Sequence, residues 1–167
     1  MISKSRKKKK IRFVTLIISI GIPLLFGGIT LLLIPNMNLI YGDLVKPIFA
    51  PPAIVFPIIW TILYILMGIA SYKVYMLKYD NIDVSSALFV YAIQLLLNFL
   101  WTFIFFGFRL YGLSFLELVL LILFVLLTIK RFYKKAGKKV ALLLLPYLIW
   151  IIYAGVLNFF IWMLNEM

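Results

Sequence analysis

No cysteine and no histidine occur in this chain of 167 residues, and acids are limited to Asp43, Asp80, Asp83, Glu117 and Glu166. Without thiols there are no disulfides, no thiolate nucleophile, no iron–sulfur cluster and no cysteine zinc site. Without imidazole there is no Ser-His-Asp triad, no histidine-ligated metal or haem, and the commonest general base is missing. Charge is also scarce, at 13% of residues against about 25% in soluble domains. In its place stand 66% hydrophobic and 17% aromatic residues, with a mean hydropathy of +1.15. A soluble fold of this length has too little interior to hide so much apolar surface. The composition predicts an all-α integral membrane protein, with no metal site and no covalently bound cofactor.

A helix needs about 20 apolar residues to cross a bilayer. Five stretches meet this requirement, at about 13–34, 55–76, 86–108, 113–129 and 142–162. Internal Pro23, Pro57 and Pro146 are tolerable, because neighbouring helices can satisfy freed carbonyls. The connections are short, so residues 1–167 read as one domain, a compact bundle of five transmembrane helices. Residues 1–12 form a basic tail and 35–54 a long external connector. Fifteen of the 17 basic residues fall in the tail and in the second and fourth connections, all on one side of a five-span bundle. Only Lys46 and Arg109 lie opposite. The positive-inside rule then places the N-terminus in the cytoplasm and the C-terminus outside, in the plasma membrane.

The basic start resembles a signal peptide, but its apolar run is too long and no A-x-A-like site follows, so the first helix is expected to stay. The run Lys7–Lys10 fits topogenesis and attraction to anionic headgroups better than binding of nucleic acid, which is not expected as a partner.

Three spans carry polar and aromatic residues in helical register. Trp60, Tyr64, Met67 and Ser71 share one face of the second span; Gln94, Asn98, Trp101 and Phe105 share one face of the third. Tyr147, Trp150, Ala154 and Asn158 do so in the fifth. Amides are costly in hydrocarbon, so Gln94, Asn98 and Asn158 should turn inward with their aromatic neighbours. Two readings stay open: interhelical packing glue, or a pocket for a large, flat, mostly apolar ligand. Trp162 and Tyr111 fit interfacial anchors. Glu117, the only acid within a span, is either a proton or cationic-ligand site, or a structural group reaching the interface and Arg109. The apolar connector with Pro47, Pro51 and Pro52 cannot lie unbonded in lipid, and should fold over the external mouth as a lid.

These motifs resemble the translocator protein family, also known as tryptophan-rich sensory proteins or peripheral benzodiazepine receptors. KPIFAPPAIVFPIIWTILYILMGIASY (Lys46–Tyr72), QLLLNFLWTFIFFG (Gln94–Gly107) and PYLIWIIYAGVLNFFIW (Pro146–Trp162) are similar to three ordered blocks of that family. GIPLLFGG in the first span supports them, and Glu117 matches an acidic position in the fourth helix. The resemblance implies a five-helix bundle whose pocket opens beneath the first connector. It implies binding of porphyrins and related tetrapyrroles, of sterols in some members, and of synthetic benzodiazepine-site ligands. Trp60 and Trp150 match family tryptophans that line the pocket and are implicated in light-dependent porphyrin breakdown.

Several positions depart from the pattern. Phe49, Ile54 and Phe99 stand where tryptophans are frequent, which weakens stacking in the lid. The sterol-recognition pattern at the end of the fifth helix is absent, and Leu127–Tyr133–Lys135 matches it only loosely. Phe89 and Ile93 occupy the region where small residues form the family's dimer contact, so a homodimer need not use that geometry. The expected function is membrane binding, transport or sensing of porphyrin-like planar ligands. The competitors are a photodegrading enzyme using Trp60 and Trp150, and a small proton-coupled exporter using Glu117. Because porphyrin propionates are anions, Lys46 is an expected ligand contact, with a solvated loop charge as the alternative.

Overall fold

The computed structural model describes residues 11–167 in full and the backbone alone of residues 2–10. The side chains of Lys4–Lys10, on which the tail expectation rests, lie outside the described residues. Among the described residues seven α-helices follow in order: α1 (Ile2–Leu33), α2 (Met37–Asp43), α3 (Val55–Met76), α4 (Ser85–Thr102), α5 (Tyr111–Ala136), α6 (Lys138–Ala141) and α7 (Leu145–Asn165). Five helical stretches are long and apolar enough to cross a membrane: Ile11–Leu33, Val55–Asp80, Ser85–Gly107, Tyr111–Ala136 and Lys138–Asn165. The protein is an all-helical, multi-pass membrane protein.

Local chemistry sets the boundaries. The first helix stops before Pro35, whose ring disfavours the α conformation in the residue ahead of it. Pro57 and Pro146 are not internal breaks: each sits in the first turn of its helix, where the missing N–H had no partner to lose. Only Pro23 lies mid-helix. The Asp83 carboxylate accepts the Ser85 amide (2.9 Å) at the start of α4 and is held below the usual carboxylate range by that hydrogen bonding. The end of α4 widens into a π turn at Phe103–Gly107. Arg109 then adopts a left-handed conformation (φ 56°) to reverse the chain.

Two expected boundaries move. The fourth span was expected to end at 129, where the lysines begin, but α5 continues to Ala136, because long basic side chains can extend from a helix end toward water. Gly137, with φ 83°, ends it. The connector 35–54 also contains α2, a two-turn helix with no forerunner in the hydropathy pattern.

Helix α1 packs chiefly on α3, α4 on α5, and α5 on α7. Small residues set the closest approaches. A Cβ on Gly68 would fall 2.5 Å from the Ile20 Cα, so α3 needs glycine where it meets α1. The core is a continuous cluster drawn from α3, α4, α5 and α7, including Met67, Leu121, Phe132 and Ile151. Phe89 faces outward on α4.

Candidate functional site

Between α1, α3 and the end of α4 the bundle holds a partly open cavity of about 320 Å³. Its floor and sides are Leu24, Gly27, Gly28, Thr30 and Leu31 of α1, Phe56, Pro57, Trp60, Thr61 and Tyr64 of α3, and Trp101, Thr102 and Phe106. Met37, Asn38 and Tyr41 of α2, with Ala53, cover it. Tyr41, Phe56, Trp101 and Phe106 also wall a second space of about 20 Å³, shared with Phe105, Ala154, Leu157, Asn158 and Ile161. That second space is about the size needed for a single water.

Of the residues expected to bind ligand, Trp60, Tyr64 and Trp101 line the main cavity. Phe105, Ala154 and Asn158 reach only the smaller one. Asn98 and Tyr147 stand behind the wall. The Tyr64 hydroxyl donates to Asn98 Oδ1 (3.0 Å), and Asn98 Nδ2 donates to the Tyr147 oxygen (3.3 Å). The Tyr147 ring meets Trp60 edge-on at 6.1 Å. Trp150 does not line the cavity: it packs on Phe56 (5.9 Å), which does, and its indole N–H is buried without an acceptor. Gln94 is 1% exposed, and its Oε1 has no partner either.

A saturated network joins α4, α5 and α7 at the lid end. Trp101 Nε1 donates to Asn158 Oδ1 (3.1 Å), and Asn158 Nδ2 donates to the Tyr111 carbonyl (2.8 Å). The Ser114 hydroxyl lies 3.0 Å from the same Asn158 oxygen. Asn158 and Trp101 are thereby committed to holding helices together.

The cover is tied down at several points. Lys46 does not extend into the cavity. Its ammonium donates to the carbonyls of Tyr41 (2.6 Å), Gly42 (2.9 Å) and Leu44 (2.8 Å), and lies 5.0 Å from the Tyr41 ring centroid. It therefore closes the C-terminal end of α2, where unpaired carbonyls favour a cation. The Tyr41 hydroxyl donates to the Pro51 carbonyl (2.9 Å); burial, with a smaller contribution from Tyr153, pushes that phenol up to about 12. Tyr153 donates to the Phe49 carbonyl (3.0 Å), and the Phe49 ring packs against Tyr153 and Phe160 on α7, outside the cavity. Asn165 pairs with both the N–H and the carbonyl of Val45 (3.0 and 2.9 Å). Glu166 receives the Tyr111 and Gly112 amides (2.9 and 2.8 Å), placing a carboxylate on the N-terminus of α5.

Glu117 corrects one expectation outright. It neither reaches Arg109 nor bonds at the interface: both carboxylate oxygens are buried and without a partner among the described residues.

The TspO/MBR family model matches residues 15–163. The chain belongs to the TspO/MBR family. It is 42% identical over 125 residues to the tryptophan-rich protein TspO of Chlorobaculum tepidum, covering 75% of this chain and 78% of that one. It is 37% identical over 147 residues to the tryptophan-rich sensory protein of Cereibacter sphaeroides, covering 88% and 87%. With the translocator protein of Ovis aries it shares 35% identity over 127 residues, 75% of each chain.

Sequence reasoning missed the α1 wall, Tyr41, Phe56 and Phe106. A signal for the first existed in Gly27-Gly28: a Cβ on Gly27 would lie 2.6 Å from Tyr64 Cε2, whereas one on Gly28 would meet nothing within 4 Å. Paired glycines in an apolar span mark either close packing or space, and here they mark one of each.

Proposed function

We propose that this protein binds planar, largely apolar ligands of the porphyrin type in the cavity beneath α2, within the plasma membrane, with the lid facing outward and the N-terminus in the cytoplasm. The observation that carries this reading is the concentration of Trp60, Tyr64, Trp101, Phe56 and Phe106 around one apolar space. Such rings favour offset or edge-on stacking, contributing about 0.5–1.5 kcal/mol per pair beyond area burial. A volume of about 320 Å³ is near the lower end of the ~300–1,000 Å³ of small-molecule sites, so a full tetrapyrrole requires the cover or Phe56 to move. Displacing Phe56 would bring the unpartnered Trp150 N–H to the ligand, as a donor for a ring substituent. Breakdown of the pigment at Trp60 and Trp150 would need the same displacement.

Protoporphyrin titrated into purified protein tests the binding: saturable quenching that weakens in Trp60→Ala supports the reading, and non-saturable partition equal to that of empty detergent refutes it. Reporter fusions test the orientation. A reporter active only in the cytoplasm should be silent when fused after Met167, and activity there would overturn the placement.

A further inference from the structure

Glu117 is the one acid inside a membrane span, on α5 about 9 Å below the first residue of that helix. Both its oxygens are buried and unpartnered. No charged side chain bonds to it among the described residues. Glu117 lies about one turn below Ser114 on α5, and Asn98 about one turn below Trp101 on α4; Ser114 and Trp101 both meet Asn158 Oδ1, which puts Glu117 and Asn98 at a similar depth in the bundle. Asn98 brings with it Tyr147 of α7 and Tyr64 of α3, to which it is hydrogen-bonded. On its own helix, Tyr111 stands nearer the lid, beside Arg109 and Glu166. Deeper along α4, Gln94 Oε1 and the Tyr91 hydroxyl are buried without partners among the described residues, the Tyr91 ring packing on Phe132 about four turns from Glu117.

An isolated carboxylate anion with no donor is costly in such a setting, and the group avoids the cost by holding its proton. A carboxylic acid has no such cost, and its O–H can seek any of the surrounding oxygens. We propose that Glu117 is a proton-binding site inside the lid half of the bundle, linked to the cavity wall through Tyr147, Asn98 and Tyr64. Tyr147 accepts from Asn98, and Asn98 accepts from Tyr64, so the Tyr147 hydroxyl proton is left free to point toward the acid side. The chain therefore carries the orientation of the Tyr64 hydroxyl, at the cavity surface, to the surroundings of Glu117. A ligand that turns Tyr64 away from Asn98 reorients Tyr147 and changes how firmly Glu117 holds its proton. Nothing is transferred except that proton, which goes to water entering the bundle when Glu117 ionises.

The test uses intact protein in lipid and needs no ligand for its first part. Infrared absorption should show a protonated carboxylic C=O band at neutral pH that is absent in Glu117→Gln. In Tyr64→Phe, which keeps the ring and removes only the hydroxyl, the pH at which this band disappears should shift. Absence of the band in wild type at neutral pH overturns the proton site. A band whose titration is the same in Tyr64→Phe overturns the link to the cavity. Thermal unfolding of each variant guards against misfolding: should Glu117→Gln not fold, loss of the same band on raising pH in wild type, with the fold retained, decides the first point. Protoporphyrin is then titrated in two buffers of different protonation enthalpy. Wild type should exchange protons on binding and Glu117→Gln should not; equal exchange in both overturns the link. Failure of protoporphyrin to bind at all would refute the ligand reading above, leaving the infrared result to decide the proton site.

Discussion

Gly28 offers the cleanest way to ask whether ligand occupies the cavity under α2. It lines that cavity, and a Cβ built there meets no atom beyond its own helix within 4 Å. Gly28→Leu adds four carbon atoms at the cavity wall, in the space a ring would use, starting from a Cβ that is free of contact. Within a helix, glycine is about 0.8–1.0 kcal/mol less favourable than alanine and leucine is close to alanine, so the variant should fold at least as well as wild type. The ligand, in contrast, must repack against the added carbons. Forcing extra methylenes into a filled site costs about 1–3 kcal/mol, or roughly five- to 150-fold in affinity. Gly21→Leu is the matched control. It sits two turns away on the same helix, about 10 Å along the axis, has equally open surroundings, and does not line the cavity. Protoporphyrin quenching and thermal unfolding of the three proteins give the answer. Weakened binding in Gly28→Leu alone, with unfolding temperature maintained, is the expected result. Unchanged affinity in a folded Gly28→Leu protein would refute the placement of the ligand, and equal losses in both variants would show that α1 matters only as a whole.

Trp60→Ala should weaken porphyrin binding by roughly tenfold, through loss of a stacking partner, and Trp150→Ala by less, because Phe56 stands before it; binding constants for the pair check the order. Lys46→Gln should reduce affinity for charged and uncharged planar ligands alike, by severalfold, since the ammonium holds three carbonyls of the cover; a salt-dependent loss confined to dicarboxylic porphyrins would restore a propionate contact. Gly68→Ala should destabilise the fold by about 1–3 kcal/mol, because its Cβ would collide with the backbone of Ile20; an unchanged thermal midpoint would contradict the close crossing of α1 and α3.

The membrane-spanning elements were legible because the bilayer imposes a length and a composition together. Their ends were less so. Lys130–Lys135 look like a loop in hydropathy, yet the backbone stays helical until Gly137 supplies the left-handed turn. Helix α2 escaped because seven mixed residues give no periodicity to read. Within the site, periodicity identified the inward faces of α3, α4 and α7 but could not tell what stands between two faces. Trp60 and Trp150 both turn inward, and Phe56 separates Trp150 from the cavity. For Lys46, charge alone suggested an outward contact; the three carbonyls it binds come from neighbours in the chain, whose conformation no residue count reveals.

The latch formed by Asn165 on Val45 spans 120 positions of sequence. At about 5–20 residues per second of synthesis, the cover exists for on the order of ten seconds before the residue that fastens it has been made. Asn165 is the last residue of the fifth span, so four spans of a nascent chain can be threaded through the bilayer while the cavity's cover is still unfastened. A hydrophobic guest already dissolved in the membrane has that interval to enter without prising anything apart. Loading during biogenesis and loading of the finished protein are then two kinetically different events, the first limited by the ribosome and the second by the opening of the latch.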